Sequence, residues 1–147
     1  MKVLIAYLTY SGNTQEVAEL IAEQLADNDI DITWHRIGFD LVPDVDTFDV
    51  IFLGTFTWDY GETPFEVKEF VLDVGYKPEN IAIFGTGDTQ FGDANQYCKA
   101  VDKLVTFYES PWPGLKIEQS PRGSQEHLVK KWVGGVMQYA TNITYAR

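Results

Sequence analysis

Three short runs in this chain are apolar almost without interruption: VLIAYL (residues 3–8), FDVIFLG (48–54) and IAIFG (81–85), each closed by turn residues. A strand with one solvent-facing side alternates apolar with polar residues, whereas a run without alternation implies burial on both faces. These three are therefore expected as the central strands of a sheet. IDITWHR (30–36) and LKIEQ (115–119) do alternate and are expected at the edges. Between the runs lie segments with apolar residues at helical spacing: 14–26 (Val17, Leu20, Ile21, Leu25), 64–74 (Val67, Phe70, Val71), 95–109 (Val101, Leu104, Val105, Tyr108) and 124 to about 139 (Leu128, Trp132, Val136). The Pro-interrupted stretch 39–47 has room for a helical turn or two at most. Strand alternating with helix predicts an α/β fold, a doubly wound five-stranded parallel sheet with helices on both faces. Right-handed crossovers and three central strands are accommodated by the order 2-1-3-4-5. Ligands of such sheets bind at the carboxyl ends of the strands, beside the switch point between strands one and three. The loops meeting there are 9–14, 55–63 and 86–94.

A length of 147 residues suits a single domain over 1–147, with no linker or internal repeat. The 22 acidic against 11 basic residues give a net charge of −11, which repels phosphate backbones and anionic lipid; nucleic acid and membranes are excluded as partners and a basic protein surface is favoured. Cys98 is the only cysteine, so the chain can form neither an intramolecular disulfide nor a cysteine-based metal site, and a reducing cytoplasm is expected. The apolar run at the start is only a strand long and is followed by no cleavage signal, so the protein is expected to be soluble and unexported.

The first loop, TYSGNT (9–14), holds four side-chain hydrogen-bond formers besides Tyr10, one glycine and no charge. Gly12 lets the backbone approach a ligand closely, and Thr9, Ser11, Asn13 and Thr14 can add side-chain donors to the amides of a helix N-terminus, which makes a phosphate nest. Alternatively Ser11 or Asn13 simply caps the helix. Neither the dinucleotide fingerprint nor the P-loop pattern is present. The second loop, GTFTWDYGETP, puts Trp58 and Tyr60 at a strand end, where large aromatics either stack on a flat ring or fold back onto the domain. The third, GTGDTQFGDANQYC, brings Gly87, Asp88 and Phe91, with Asp88 a hydrogen-bond acceptor or a turn cap. A phosphate nest, aromatic plates and a hydrogen-bonding turn in one crevice describe a mononucleotide with a flat ring.

T-x-S-G-N-T after the first strand, T-W-x-x-G-E after the third and G-T-G-D after the fourth resemble the flavodoxins, and the resemblance spans essentially the whole chain. The LKIEQ strand runs into the last helix without a long insertion, as in short-chain flavodoxins, and GDTQFGD…YCKAVDKL is similar to those of bacilli. The resemblance implies an FMN-containing one-electron carrier rather than an enzyme, shuttling low-potential electrons between basic-faced redox proteins such as a flavodoxin reductase and acceptor enzymes, as a monomer. It also implies that Thr9, Ser11, Gly12, Asn13 and Thr14 hold the FMN phosphate, with Tyr10 in the same loop, and that Trp58 covers one face of the isoalloxazine. Thr55, Phe56 and Thr57 would lie along the ribityl chain and ring edge, with Asp59, Tyr60 and Gly61 completing that loop. Thr86, Gly87 and Asp88 would meet the pyrimidine end, and Phe91 is the nearest aromatic for the outer face. Two departures stand out: Phe91 follows a longer loop than the usual outer tyrosine, and Asp59 stands where many short-chain members have glycine.

Rival readings are a flavodoxin-like activator of ribonucleotide reductase, a flavodoxin-like quinone reductase and a phospho-receiver of the same topology. The receiver would need an aspartate ending strand three and a lysine ending strand five, where Gly54-Thr55 and Glu118-Gln119 stand instead. His35 and His127 have no second metal-ligand residue at useful spacing and are expected to be solvated or locally bonded. Cys98 is expected as a buried small hydrophobe. Glu62, Glu66, Glu69 and Asp73 form either a solvated face or a docking surface.

Overall fold

Strand pairing follows the apolar runs. In the computed structural model, which describes residues 1–26, 29–58, 61–89 and 96–146 (backbone alone for 143–146), strands β1 (Lys2–Tyr7), β2 (Asp31–Arg36), β3 (Val50–Phe56), β4 (Ile81–Gly87) and β5 (Leu115–Glu118) form one sheet. The order is β2-β1-β3-β4-β5 and every pair is parallel, as expected from the patterning. Helices α1 (Asn13–Gln24), α2 (Phe65–Val74), α3 (Lys99–Tyr108) and α4 (Ser124–Ala146) supply the crossovers and the final cover. Val3, Ile5, Phe52 and Phe84 pack on one side against α1 and α4, while Leu4, Ala6, Leu53 and Ile83 pack on the other against α2 and α3. Each large apolar side chain so buried contributes roughly 1.5–3 kcal/mol, which is why strands with no polar face are the central ones. Among the described residues no helix is long and apolar enough to cross a membrane.

Several boundaries differ from the sequence reading. β3 runs from Val50 to Phe56 instead of 48–54, because the Asn80 side-chain amide donates to the carbonyls of Phe48 (2.9 Å) and Asp49 (2.6 Å), and a 3-10 turn (Val45–Thr47) ends just before them. Pairing then continues through Thr55↔Gly85 and Phe56↔Thr86, so Thr55, Phe56, Thr86 and Gly87 belong to strands, not loops. α3 starts at Lys99 rather than 95, since Cys98 stands in the left-handed region at φ 50° and breaks the helical path. α4 extends beyond 139, and its buried stripe is Val129, Val133, Val136 and Ala140; Leu128 is 50 % exposed, one position off the expected face. Trp132 packs edge-on to Phe52 and Phe84 and donates its Nε1–H to the Pro113 carbonyl at 2.7 Å.

Three single residues complete the picture. His35, although on an edge strand, is buried against Phe70 with ring centroids 5.4 Å apart; desolvation lowers its pKa, against the opposing pull of Asp40 and a backbone contact at Leu41. It is buried, not solvated. Cys98 is buried as expected, and burial pushes its thiol up to about 12. At the β5 edge, the Gln125 side chain accepts from the Glu118 N–H (2.6 Å) and donates to the Glu118 carbonyl (3.0 Å).

Close packing at the sheet centre requires glycine at position 85. A Cβ at Gly85 would lie 2.4 Å from a Val101 methyl and 2.6 Å from the Thr55 carbonyl oxygen, a backbone atom that cannot rotate away. Gly134, exposed within α4, has nothing within 4 Å of the same position. We expect Gly85→Ala to destabilise by about 2–3 kcal/mol through overpacking and Gly134→Ala to stabilise by about 0.5–1 kcal/mol through helix propensity. Urea unfolding midpoints of the two variants should move in opposite directions.

Candidate functional site

β1 ends at Tyr7, and the chain turns within the next five residues into α1. Gly12 makes that turn possible: it is the N-cap of α1 at φ +95°, a region costly for other residues, and nothing lies within 4 Å of where its Cβ would be. The buried Thr9 hydroxyl accepts from the Gly12 N–H at 2.9 Å, and Gly12 accepts the first helical bond from Glu16. No side chain caps α1, so neither Ser11 nor Asn13 plays that part. The N–H groups of the first turn, which point out of the helix end, are left to an acceptor from outside. Thr14 is buried, and its hydroxyl shares a 2.8 Å hydrogen bond with that of Thr86 on β4, which ties the first loop to the third.

The second loop is held at both ends. Thr55 is buried and its hydroxyl donates to the Phe56 carbonyl at 2.8 Å, while the Thr57 hydroxyl accepts from the Ala100 N–H at 3.1 Å and so fastens the loop to the start of α3. Trp58 and Glu62 exchange two backbone hydrogen bonds of 2.7 Å, closing a narrow antiparallel bridge in which Gly61 takes φ +92°. The Lys99 stem packs beside Gly61. Trp58 stays 49 % exposed, so it does not fold back into the domain. Instead it meets Tyr10 edge-on (5.7 Å between centroids) and Phe56 (6.0 Å), and Tyr10 lies 4.9 Å from Phe56.

Tyr10 thus joins two of the three loops. Its phenol donates to Glu66 Oε2 on α2, and that hydrogen bond raises the tyrosine pKa. Sequence reasoning placed Tyr10 in the loop but missed this partner; the available signal was Glu66 in the first turn of α2 directly after Pro64. Lys99 was missed as well, because only the fold brings its helix beside Gly61.

In the third loop, a Cβ at Gly87 would sit 3.0 Å from Cys98 Sγ and 3.1 Å from Tyr97, so a side chain there would press on the residues that lead into α3. The Asp88 carboxylate accepts from Gln119 Nε2 at 3.3 Å, and Glu118 Oε1 accepts from the Thr89 N–H (3.0 Å) and hydroxyl (2.9 Å). The turn is therefore braced from the end of β5. Asp59, Tyr60 and Phe91 lie outside the described residues.

The described parts fit FMN. An uncapped helix end with neutral donors suits a phosphate monoester, and the half-exposed Trp58 beside it suits a flat ring. The fold also matches known proteins. The flavodoxin family model matches residues 5–110. "Probable flavodoxin 2" of Bacillus subtilis is 31 % identical over 134 residues, covering 85 % of this chain and 87 % of the relative. Oxidised flavodoxin 2 from Bacillus cereus superposes with a TM-score of 0.79 at 30 % identity, covering 95 % of this chain and 99 % of that one. A short-chain flavodoxin associated with a bacterial microcompartment reaches a TM-score of 0.84 at 22 % identity, a likeness of fold. The three motifs, the strand order and these matches agree: the chain belongs to the flavodoxin family, FMN-binding electron carriers that are not enzymes.

Proposed function

We propose that this flavodoxin works as a cytoplasmic monomer that carries low-potential electrons from a reductase to acceptor redox enzymes, each docking through a basic face. The observation that carries the site assignment is the uncapped N-terminus of α1, entered through Gly12 at positive φ, beside a half-exposed Trp58. Bound FMN supplies the one-electron chemistry. The chain's part is to bind, orient and tune. Amides of the α1 first turn, with Thr9, Ser11, Asn13 and Thr14, hold the phosphate by neutral donors and the helix dipole. Trp58 covers one face of the ring, while Thr55, Phe56 and Thr57 line its ribityl side and edge. Thr86, Gly87 and Asp88 form the wall at the pyrimidine end. The ribonucleotide-reductase activator and quinone-reductase readings are not favoured, since the matched relatives are named flavodoxins.

Phosphate should dominate affinity. Losing three or more charge-assisted hydrogen bonds costs several kcal/mol, so riboflavin should bind the apoprotein at least about a hundredfold more weakly than FMN. Fluorescence titration checks this, and equal affinities would remove the phosphate nest.

Glu62, Glu66 and Glu69 stand on or beside α2, next to the tryptophan loop. One carboxylate about 8 Å from a ring at an effective dielectric near 40 disfavours an anionic reduced flavin by roughly 1 kcal/mol, on the order of 45 mV. Glu62→Gln with Glu69→Gln should raise the lower midpoint potential by tens of millivolts and flatten the salt dependence of electron transfer to a basic partner. Potentiometry and stopped-flow mixing read the two effects separately.

Tyr10 should position Trp58. Tyr10→Phe keeps the ring but loses the bond to Glu66, and is expected to weaken FMN binding several-fold and lower the Trp58 fluorescence anisotropy of the apoprotein. Glu66→Gln, which retains an acceptor, should leave anisotropy near wild type.

A further inference from the structure

At the pole opposite the FMN loops, a cleft of about 810 Å³ opens by the amino-terminal ends of β3 and β4. The turn at 45–47, the loop leading into β4, the end of α3 and the second half of α4 contribute to its walls. Much of the lining is aromatic: Phe48, Tyr76, Tyr108, Trp112 and Tyr139. Tyr108 and Trp112 are only 4 % and 7 % exposed. Among the described residues, the Tyr108 hydroxyl and the Trp112 indole N–H are the buried side-chain polar atoms without a hydrogen-bond partner.

That distribution is uneven in a telling way. Thr9, Thr14, Thr55 and Thr86, buried at the FMN pole, all have partners, so the unsatisfied atoms are concentrated in this one cleft. Native chains seldom keep buried donors without an acceptor. Phenylalanine at 108 would make the same edge contact with Phe107 (centroids 4.9 Å apart) and leave nothing unsatisfied. Burial pushes the Tyr108 phenol up to about 12, which keeps it a donor at physiological pH.

Charge narrows the ligand. Asp46, Asp49, Glu79 and Glu109 line the cleft against Lys77, whose ammonium lies over the Phe107 ring at 4.3 Å. Anions are repelled by such a lining, so phosphates, nucleotides and a second flavin phosphate do not suit it. Aromatic walls favour a flat molecule and two donors ask for two acceptor atoms; Asp46 already accepts from the Tyr76 phenol and Asp49 from the Lys2 N–H, so the Glu109 carboxylate is the acceptor at the rim for a ligand N–H.

We propose that this cleft is a second small-molecule site for a neutral, planar heteroaromatic carboxamide, whose acceptor atoms take the Tyr108 hydroxyl and the Trp112 indole N–H and whose amide N–H group meets the carboxylate rim. Both donors are closed to water in the free cleft, so a ligand that accepts from both must turn both rings as it seats. The Trp112 indole signal therefore reports occupancy.

The test uses FMN-loaded protein with ¹⁵N-labelled tryptophan, nicotinamide as the probe and nicotinate as its anionic counterpart. The Trp112 indole resonance is assigned by its loss in Trp112→Phe. If that variant does not fold, Trp34→Phe, Trp58→Phe and Trp132→Phe assign it by elimination. Nicotinamide should shift this resonance saturably, and nicotinate should bind at least tenfold more weakly. Tyr108→Phe should weaken nicotinamide at least fivefold while leaving the flavin absorption spectrum unchanged and the thermal midpoint equal or higher. No saturable shift, equal binding of nicotinate, or unchanged affinity in Tyr108→Phe would each overturn the proposal. Because every sample carries FMN and its absorption is followed, failure here is distinguishable from failure of the flavin-site assignment.

Discussion

Burial of β1, β3 and β4 on both faces is the constraint from which the rest follows. A strand with no polar side needs a cover on each face, so the crossovers must divide between the two sides of the sheet, α1 with α4 on one and α2 with α3 on the other. Dividing them reverses the direction of winding at β1, whose neighbours are β2 and β3. At that reversal the chain leaves β1 and β3 toward opposite faces, and a crevice opens between their carboxyl ends. The loops after β1, β3 and β4 reach the same place for this reason, without attraction between the loops themselves. The Thr14–Thr86 hydroxyl pair and the Thr57–Ala100 bond then fix at short range what the winding arranges at long range.

Within that crevice, the choice of neutral donors has an electrostatic logic. A helix end and hydroxyl groups can hold a phosphate without a full positive charge, so in the proposed arrangement the surrounding acids would dominate the field at the ring. Lys99 modifies this. It packs its stem beside Gly61 and brings one cation near a loop whose own sequence has none. The Tyr10–Glu66 pair works the other way, since it holds a carboxylate close to the aromatic cluster and uses that carboxylate as a mechanical stay. One side chain thus both braces Tyr10 and places a negative charge beside the aromatic cluster.

The central strands and their order were legible because burial on both faces leaves an unambiguous pattern. Strand ends were not. β3 lies two residues later than its apolar run suggests, since the side chain of Asn80, distant in sequence, occupies the carbonyls of Phe48 and Asp49. The α4 face was misjudged by one position: Leu128 and Val129 are both apolar, and only the packing of Trp132 against Phe52 and Phe84 decides which faces inward. His35 looked like an edge residue, and it is; its burial comes from Phe70 on α2, invisible to any local pattern. In the candidate site, TYSGNT announced the turn through Gly12 into a helix, whereas the partnership of Tyr10 with Glu66 spans 56 residues and could not be read from spacing.

The Gln125 amide at the β5 edge bears on how such molecules behave at high concentration. A sheet edge presents peptide groups that another chain can extend into a longer sheet. Here β5 has only four residues, and Gln125 meets both the N–H and the carbonyl of Glu118 as a neighbouring strand would. One glutamine side chain therefore stands in for a sixth strand one residue long, and that edge offers little template for self-association. A net charge of −11 adds mutual repulsion between copies of the chain, so edge and surface charge act against self-association in the same direction.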